Sequence, residues 1–551
     1  MNHRRKILKY IALMVAALLP AAALAGPGAL ARVEASYADW LDTNYAIASL
    51  VAGPWKNFDG RDLAGWRRLL EPRRAQLEAE IAELAGQHLS DGEARALAML
   101  KKGFAEPWSV PEVMTATESA AACAMSSNPN LDRTALSAAL YACFDHYGNR
   151  LEFEGQTVSR RSALALLESI EEPARREALL AAFAPLWTRV HPAGANDSPY
   201  QRLLRLEHAA VAAGGRSIAA DAAQVVGVAP LEAEQWMESV LARWREVAAP
   251  EPLEPWDYWH AHAAAFTALG VPIPPAAIQD LSARYYADLG ADLGALGVLH
   301  DLEVRPGKVG YAYCDFVRIG RETRVGWRPA IPRVAANIDR GGLGLLNELV
   351  HEDGHAVHYA AIRTRPAYFI SLDDVLFDEA MADVAAWSTG THEWQQRYLG
   401  QGVETRAAGR SLYAMVMLEV AWGLFEARLL RDPTLEPNAT WTNITSRYLN
   451  VRPHPELPWW MLRTQLVESP GYLIYYGAGA ILTADLRRRI RERIGDFDAG
   501  NPRWYRLVSE QLLRYGGSVE RSEQLRKFLG RPVSPQALLE ALDQLRPPPR
   551  R

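Results

Sequence analysis

The sequence predicts a mainly α-helical globular protein with one small β-sheet. Alanine, leucine, glutamate and arginine recur at helical spacing along most of the 551 residues. Hydrophobic residues make up 49% of the chain and charged residues 23%, which is typical of a folded protein with a deep interior and excludes a disordered one. A stretch rich in aromatic and β-branched residues interrupts the helical pattern shortly after residue 300 and predicts the sheet.

Residues 1–25 have the composition of a secretory signal. Four basic residues precede an apolar run that ends at Ala22, and Ala23-Leu24-Ala25 provides small residues for cleavage. An alternative cleavage site ends at Ala31. The competing interpretation is an uncleaved membrane anchor, which the short run and Pro20 disfavour. We therefore expect an exported protein that is periplasmic or secreted.

Loss of residues 1–25 removes four positive and no negative charges, so the formal net charge changes from −5 to −9. Because the mature chain is acidic, nucleic acid is not expected as a partner. No run of 18 apolar residues follows the signal, so no stable membrane span is expected after its cleavage. The sequence leaves the oligomeric state open.

The chain has three cysteines, too few for a disulfide scaffold or for a metal site built from cysteines. In an oxidising compartment Cys123 and Cys143 can form a disulfide, and the sequence leaves open whether they do. Cys314 is then expected to remain a buried thiol.

Helical periodicity predicts several long helices before the sheet. Their bounds are Asp62–Gly86, Asp91–Gly103, Ser159–Trp187, Ser198–Ala213, Pro230–Val247 and Pro275–Leu296. Proline and glycine breaks at 191–199, 250–255 and 270–275 are interpreted as loops within one body and not as domain linkers.

Two segments carry the strand pattern, Tyr311–Ile319 and Arg328–Ile338. Glycine and proline punctuate this region, which favours a small sheet with an edge strand. Helices resume at Gly344. An exposed strand edge directly before a functional helix can hold an extended peptide through backbone hydrogen bonds.

The helix after the sheet carries His351-Glu352-Asp353-Gly354-His355. Histidines four residues apart project from the same side of a helix, so both imidazoles can bind one metal ion, and the glutamate beside the first histidine can act as a base. The composition gives roughly 0.02 chance matches to His-Glu-x-x-His in a chain of this length. His358 is interpreted as a core or supporting histidine and not as a ligand.

Glu379 is the predicted third ligand of this metal. The helix of the histidines should end near Arg363, and a second helix should run from about Asp373 to Trp387. The first helix extends roughly 10 Å from His355 to its end, and the second helix runs about 9 Å from its start to Glu379. An antiparallel return therefore brings these two residues level.

Other carboxylates compete with Glu379 for this role. Asp374 and Asp378 lie on a helix face turned by about 100°, and their side chains are shorter. Asp383 lies one turn beyond Glu379, where it can accept the ring N–H of a ligating histidine; the alternative is an ordinary helical acid.

The motif as a whole predicts a zinc hydrolase and favours a peptidase. One zinc ion would be held by His351, His355 and Glu379, and it would activate water and polarise a carbonyl. Glu352 would take the proton of that water and pass it to the leaving amine.

The metal motif resembles the zinc helices of two peptidase families. His351-Glu-Asp-Gly-His-Ala-Val-His358 is similar to the His-Glu-Phe-Gly-His-x-x-His helix of the thimet oligopeptidase and oligopeptidase F family. Phe377-Asp-Glu-Ala-Met-Ala-Asp383 is more similar to the Glu-Ala-Ile-Gly-Asp helix of angiotensin-converting enzyme, a related glutamate-zincin. Ala312-Tyr-Cys-Asp-Phe316 is similar to the Ser-Ala-Trp-Asp-Phe segment of that enzyme, and the resemblance covers roughly residues 301–485.

A downstream segment, Pro470-Gly-Tyr-Leu-Ile-Tyr-Tyr-Gly477, resembles the tyrosine segment that completes the active site in both families. The resemblance assigns Tyr475 as the hydroxyl that hydrogen-bonds the oxyanion and Tyr472 as the one near the substrate carboxylate. It leaves Tyr476 to packing. Without the resemblance, a Tyr-x-x-Tyr pair on an apolar segment is more often part of a core.

Four residues depart from the pattern of angiotensin-converting enzyme. Arg463 stands where that enzyme has a carboxylate-binding lysine, and Gln465 where it has a histidine that supports the transition state. Arginine keeps the charge, whereas glutamine keeps only a hydrogen bond. Ile474 replaces an arginine linked to chloride binding, which puts chloride activation in doubt, and Asp353 replaces an apolar residue of the motif.

The resemblance implies a two-lobed helical ellipsoid with a deep active-site channel, made of a helical N-terminal lobe at 32–300 and a catalytic lobe at 301–551. It implies an oligopeptidase that hydrolyses short peptides and can release C-terminal dipeptides. The alternative is a catalytically silent, metal-containing peptide-binding protein, which Asp353 and Gln465 motivate and the intact Glu352 opposes. A zinc aminopeptidase is disfavoured, because no Gly-x-Met-Glu-Asn segment precedes the zinc helix.

Overall fold

The computed structural model describes residues 28–53, 60–105, 113–192, 194–195, 197–248, 251–267, 270–369 and 374–546. The signal segment predicted at residues 1–25 lies outside the described residues, and so does Asp373, the predicted start of a helix. Helices dominate the described chain and only small sheets accompany them, so the predicted mainly α-helical fold is confirmed.

Each of the six helices predicted before the sheet has an observed helix that begins within one residue of the predicted start, and further helices accompany them. They span Ala29–Val51, Leu63–Ala85, Asp91–Ala105, Ala116–Met125, Arg133–Cys143, Arg160–Ser169, Pro173–Ala181, Ala184–Val190, Pro199–Ala212, Ile218–Val226, Pro230–Val247, Tyr258–Thr267 and Pro275–Asp288.

Two of the predicted helices differ from the observed ones. The helix predicted over 159–187 is divided into three, because Pro173 and Pro185 each stand in the first turn of a new helix and cannot continue the preceding one. The helix predicted to reach Leu296 ends at Asp288, where Gly290 adopts a positive φ of 81°.

The helices after the sheet carry the predicted site. They span Leu343–Ala361, Val375–Ala386, His392–Leu399, Thr405–Arg431, Pro437–Ile444, Gln465–Glu468, Tyr472–Ile494, Arg503–Gln511, Arg521–Leu529 and Gln536–Asp543. Below, Leu343–Ala361 is called the histidine helix, Val375–Ala386 the glutamate helix and Tyr472–Ile494 the tyrosine helix.

The strands span Leu151–Phe153 (β1), Gln156–Val158 (β2), Leu299–Asp301 (β3), Tyr313–Arg318 (β4), Arg321–Thr323 (β5), Gly326–Arg328 (β6) and Ile331–Ala335 (β7). The predicted small sheet has three of these strands in the order β3-β7-β4, and β7 is central. β7 pairs parallel with β3 and antiparallel with β4, which lies at one edge. Two-stranded hairpins are formed by β1 with β2 and by β5 with β6.

A buried ion pair ties the edge strand β4 to the central strand. The guanidinium of Arg333 on β7 donates to both carboxylate oxygens of Asp315 on β4, at 2.8 and 2.7 Å. Both side chains are almost fully buried, so each charge depends on the other for compensation. The pair fixes the register of β4 beside the histidine helix.

One hydrophobic core runs through most of the molecule. It contains buried residues from Cys123 to Leu545, so residue 300 does not separate two hydrophobic cores. A second cluster joins the helices of residues 29–105 to the sheet and to the turn that follows the histidine helix. The predicted division into lobes at 32–300 and 301–551 therefore stays a prediction.

Cys123 and Cys143 form a disulfide, the pairing that the sequence left open. Cys314, which was expected to be a buried thiol, is a free thiol on β4 and only half-buried. None of the described helices combines the length and the apolar composition that crossing a bilayer requires.

Candidate metal centre

The histidine helix and the glutamate helix pack unusually close together. A Cβ atom on Gly354 would lie 2.7 Å from the Cα of Ala382 and 3.0 Å from the hydroxyl of Tyr286. Neither the backbone nor the buried tyrosine can give way, so this position of the histidine motif requires glycine. The contact aligns the two helices where they carry their functional side chains.

Three potential ligand atoms converge between these helices. Nε2 of His351 lies 3.2 Å from Nε2 of His355 and 3.2 Å from Oε2 of Glu379. The third separation, from Nε2 of His355 to Oε2 of Glu379, is 3.7 Å. The structure thus brings together the three residues that the sequence predicts as ligands, and they form a group that can hold a metal ion.

The separations fit a four-coordinate metal. Zinc bonds of about 2.0–2.2 Å to nitrogen and oxygen correspond to roughly 3.3–3.5 Å between ligand atoms at the corners of a tetrahedron. Oε2 of Glu379 is also buried and has no hydrogen-bond partner among the described residues. Its lone pairs are therefore available to a metal, and three protein ligands are the number typical of catalytic zinc sites.

Two further residues hold the ligands in place. Oδ1 of Asp383 lies 2.8 Å from Nδ1 of His351, so the carboxylate accepts the ring N–H and leaves Nε2 for the metal. The hydroxyl of Tyr472 donates to Oε1 of Glu379 at 2.7 Å. The predicted role of Asp383 agrees with this geometry, and Tyr472 contacts a ligand directly.

The predicted ligands interact strongly with one another and with Asp383. Burial lowers the pKa of His351, but hydrogen bonds to Asp383 and Glu379 outweigh it and raise that pKa well above its ordinary value. Burial raises the pKa of Glu379, but the interactions with His351 and His355 outweigh it and hold the pKa well below the usual range. Glu379 is therefore a carboxylate, the form that binds a cation.

Glu352 lies beside the ligand group on the histidine helix. Its side chain is 8% exposed, and burial raises its pKa to about 7, although the two imidazoles lower it. A carboxyl group with a pKa near neutrality can both accept and release a proton at physiological pH.

The competing acidic residues are engaged elsewhere. Asp374 forms a buried ion pair with Arg521 at 2.9 Å, and Oδ1 of Asp378 lies 3.2 Å from Nδ1 of His358. His358 is 3% exposed and makes its polar contact with Asp378 and not with the ligands, which agrees with a supporting role.

Asp353, the unusual residue of the motif, points away from the ligands. Its carboxylate accepts from the hydroxyl of Ser282 at 2.5 Å and lies 2.7 Å from Nε2 of His300 on β3. It therefore connects the histidine helix to the helix Pro275–Asp288 and to the sheet. The departure from the family pattern has a structural role and leaves the metal centre unaltered.

The tyrosine helix presents Tyr472 and Tyr476 to the site. The ring of Tyr476 lies 5.5 Å from that of Tyr472, and burial together with the nearby charge of Glu379 raises the pKa of the Tyr476 hydroxyl. Among the described residues, none hydrogen-bonds the Tyr476 hydroxyl, which is not fully buried.

Tyr475 has different surroundings. It is 1% exposed, and Nη2 of Arg216 donates to its hydroxyl at 3.0 Å. The resemblance left Tyr476 to packing, whereas its ring contacts that of Tyr472, which bonds Glu379. Helix spacing alone does not separate the two candidates, since residues three and four positions after Tyr472 can both share its helix face.

Arg463 and Gln465 lie just before the tyrosine helix. The guanidinium of Arg463 forms an ion pair with Glu419 and lies over the rings of Trp422 and Tyr476, at 5.0 and 5.9 Å from their centroids. Arg463 is thus brought next to the site through Tyr476. Gln465 is half-buried and begins the short helix Gln465–Glu468; within the described chain no hydrogen bond joins its side chain to the metal ligands.

Several solved peptidase structures share this fold. The Pyrococcus furiosus carboxypeptidase superposes with a TM-score of 0.54 at 13% identity, covering 94% of this chain and 98% of its own. The Trypanosoma cruzi metallocarboxypeptidase 1 gives 0.54 at 13% identity, covering 94% and 99%. A putative oligoendopeptidase F gives 0.51 at 16% identity, covering 94% and 96%. At these identities the similarity shows the fold alone.

Comparisons at the level of sequence give no such relation. No protein-family model matches the chain, and no curated protein matches it either.

Substitution of Asp353 tests its structural role. We expect Asp353→Asn to lower the free energy of unfolding by about 2–4 kcal/mol, because His300 and Ser282 lose a buried charged partner. Burial lowers the pKa of His300, but the hydrogen bond and charge of Asp353 raise it overall. This stabilisation is complete below the ordinary histidine pKa and is lost as pH rises through the raised value. The deficit, measured by urea denaturation, should therefore be larger at about pH 6 than at about pH 9.

The pair of Asp39 with Arg321, which is more accessible to solvent than the Asp353 contacts, provides the control. Asp39→Asn should change the free energy of unfolding by less than about 1 kcal/mol. Equal deficits for the two variants would contradict the role assigned to Asp353.

Proposed function

We propose that this protein is a zinc-dependent peptidase that cleaves short peptides. The convergence of Nε2 of His351, Nε2 of His355 and Oε2 of Glu379 within 3.2 to 3.7 Å, with Glu352 beside them, carries the proposal. It is supported by a fold shared with a metallocarboxypeptidase and a putative oligoendopeptidase. A purely structural metal site would not need a buried glutamate next to its first ligand.

The chemistry is divided between the metal and the chain. Bound zinc would polarise the scissile carbonyl and make a water molecule easier to deprotonate. Glu352 accepts the proton of the attacking water and then delivers it to the leaving amine, so no covalent acyl-enzyme forms. Asp383 keeps the ring of His351 in the tautomer that a metal requires.

A tyrosine hydroxyl completes this mechanism. The resemblance assigns the oxyanion hydrogen bond to Tyr475, but the hydroxyl of Tyr475 is engaged with Arg216. We propose Tyr476 for this role, because none of the described residues hydrogen-bonds its hydroxyl and its ring lies 5.5 Å from that of Tyr472, which bonds Glu379. Tyr472 instead restrains Glu379.

The substrate is an extended short peptide. The edge strand β4 lies beside the histidine helix and offers backbone groups to such a peptide. Arg463, held over Tyr476, can attract the free C-terminal carboxylate, which favours an oligopeptidase that also releases C-terminal dipeptides. The acidic charge of the chain argues against nucleic acid as a partner, and the signal-like residues 1–25 support export to a periplasm or to the outside.

The Glu352→Gln variant tests the catalytic proposal. We expect it to bind zinc like the wild type but to cleave a peptide library roughly 100-fold to 10,000-fold more slowly, because glutamine cannot accept the proton. Zinc content is measured by atomic emission and cleavage by mass spectrometry. Zinc binding by the wild type without any Glu352-dependent cleavage would contradict the peptidase and support the silent peptide-binding protein instead.

Separate phenylalanine variants distinguish the two tyrosines. Tyr476→Phe should lower kcat by roughly 100-fold, the usual effect of losing one oxyanion donor, with little change in KM. Tyr475→Phe is the matched control and should lower kcat by less than about 10-fold. The reverse order would return the catalytic role to Tyr475.

Peptides of matched sequence with free or amidated C termini test the role of Arg463. We expect the free acids to have a kcat/KM about 10-fold higher, because a guanidinium pairs with a carboxylate and not with an amide. Arg463→Gln should abolish this preference without abolishing cleavage. Equal rates for both peptides with the wild type would argue against a carboxylate site at Arg463.

A further inference from the structure

The start of the tyrosine helix lacks a cap from its own sequence. Gly471, with a φ of 99°, precedes the first helical residue, and no side chain of the helix start accepts its free amide groups. The first amides of a helix need acceptors when they are buried. Tyr472, which bonds Glu379, is the first residue of this helix, so any shift of the helix start is transmitted to a metal ligand.

Glu426 supplies the missing acceptors from another helix. It belongs to the helix Thr405–Arg431 and is fully buried. One carboxylate oxygen accepts the N–H of Gly471 and the other accepts the N–H of Leu473, both at 2.8 Å. These two amides flank Tyr472 in the chain.

The environment of Glu426 disfavours a charged carboxylate. No Lys, Arg or His of the described chain forms an ion pair with it, and burial raises its pKa to about 8 although the two amide hydrogen bonds lower it. A buried carboxyl without a cation partner destabilises a fold unless hydrogen bonds compensate for its lost hydration. The two amides at the start of the tyrosine helix provide such hydrogen bonds.

Two glycines allow the helix that carries Glu426 to cross close to the tyrosine helix. A Cβ on Gly423, one turn before Glu426, would lie 3.0 Å from the Cα of Gly477 and 2.8 Å from the carbonyl oxygen of Leu473. A Cβ on Gly477 would lie 3.1 Å from the Cα of Gly423. The helices are thus in backbone contact at this crossing. The glycines fix the distance between them, and Glu426 fixes where the tyrosine helix begins.

We infer that Glu426 is a positioning residue for the metal centre: it holds the start of the tyrosine helix so that Tyr472 restrains Glu379 and Tyr476 faces the substrate. This inference rests on the proposed function. A merely structural role would lower stability but leave the metal affinity of the folded protein unchanged.

The experiment compares Glu426→Gln with a matched control on the same helix. Glu404 also accepts two backbone amides, those of Arg406 and Ala407 at 3.1 and 3.0 Å, but at an exposed helix start. Glutamine has one acceptor oxygen, so it satisfies only one of the two amides. Zinc affinity of the full chain is measured by competition with a chelating dye, kinetics with a short peptide, and folding by circular dichroism.

We expect Glu426→Gln to weaken zinc binding about 10-fold and to lower kcat about 10-fold at nearly constant KM. Glu404→Gln should change each quantity by less than about twofold. In a Tyr472→Phe background, Glu426→Gln should weaken zinc binding no further, because the connection from Glu426 to Glu379 is already broken. If Glu426→Gln does not fold, Glu426→Asp replaces it, since the shorter carboxylate keeps both oxygens but cannot reach both amides.

Two results would overturn the inference. One is a folded Glu426 variant whose zinc affinity and kcat equal those of Glu404→Gln. The other is a loss that is fully additive with Tyr472→Phe. Failure of the proposed function is distinguishable, because the wild type itself would then show no zinc binding or no peptide cleavage.

Discussion

The backbone contact between the histidine helix and the glutamate helix is the constraint on which the candidate site depends. Because Gly354 has no side chain, the backbone of Ala382 passes directly over it. This closeness brings Glu379 within 3.2 Å of His351 and places Asp383 at its ring nitrogen. A larger residue would push the helices apart and separate the ligands. The glycine thus serves the metal geometry, which needs side chains from both helices to meet at one point.

Buried polar groups outside the ligand group stabilise the elements around this helix contact. Asp353 joins the histidine helix to His300 on β3 and to Ser282, while the Arg333–Asp315 pair fixes the edge strand beside it. On the opposite side, Glu426 caps the tyrosine helix whose first residue restrains Glu379. Ligands supported in this way keep their orientation, so little reorganisation is needed when a metal or a transition state binds.

The sequence predicted what depends on local spacing. The i, i+4 histidines, the return to Glu379, the position of Asp383 and the small sheet all follow from helix and strand periodicity. It could not reveal the contacts of Asp353, the capping by Glu426 or the hydrogen bond from Arg216 to Tyr475, because each depends on partners distant in the chain. The splitting of residues 159–187 at prolines was predictable from Pro173 and Pro185. The oxyanion role of Tyr475 came from the resemblance, carried over position by position, and it stays a prediction.

A crystal structure of the protein with anomalous diffraction measured on both sides of the zinc absorption edge tests the proposed metal centre. We expect a single zinc peak within about 2.0–2.2 Å of Nε2 of His351, Nε2 of His355 and a carboxylate oxygen of Glu379. A peak at other ligands, or no zinc peak in protein prepared with excess zinc, would contradict it.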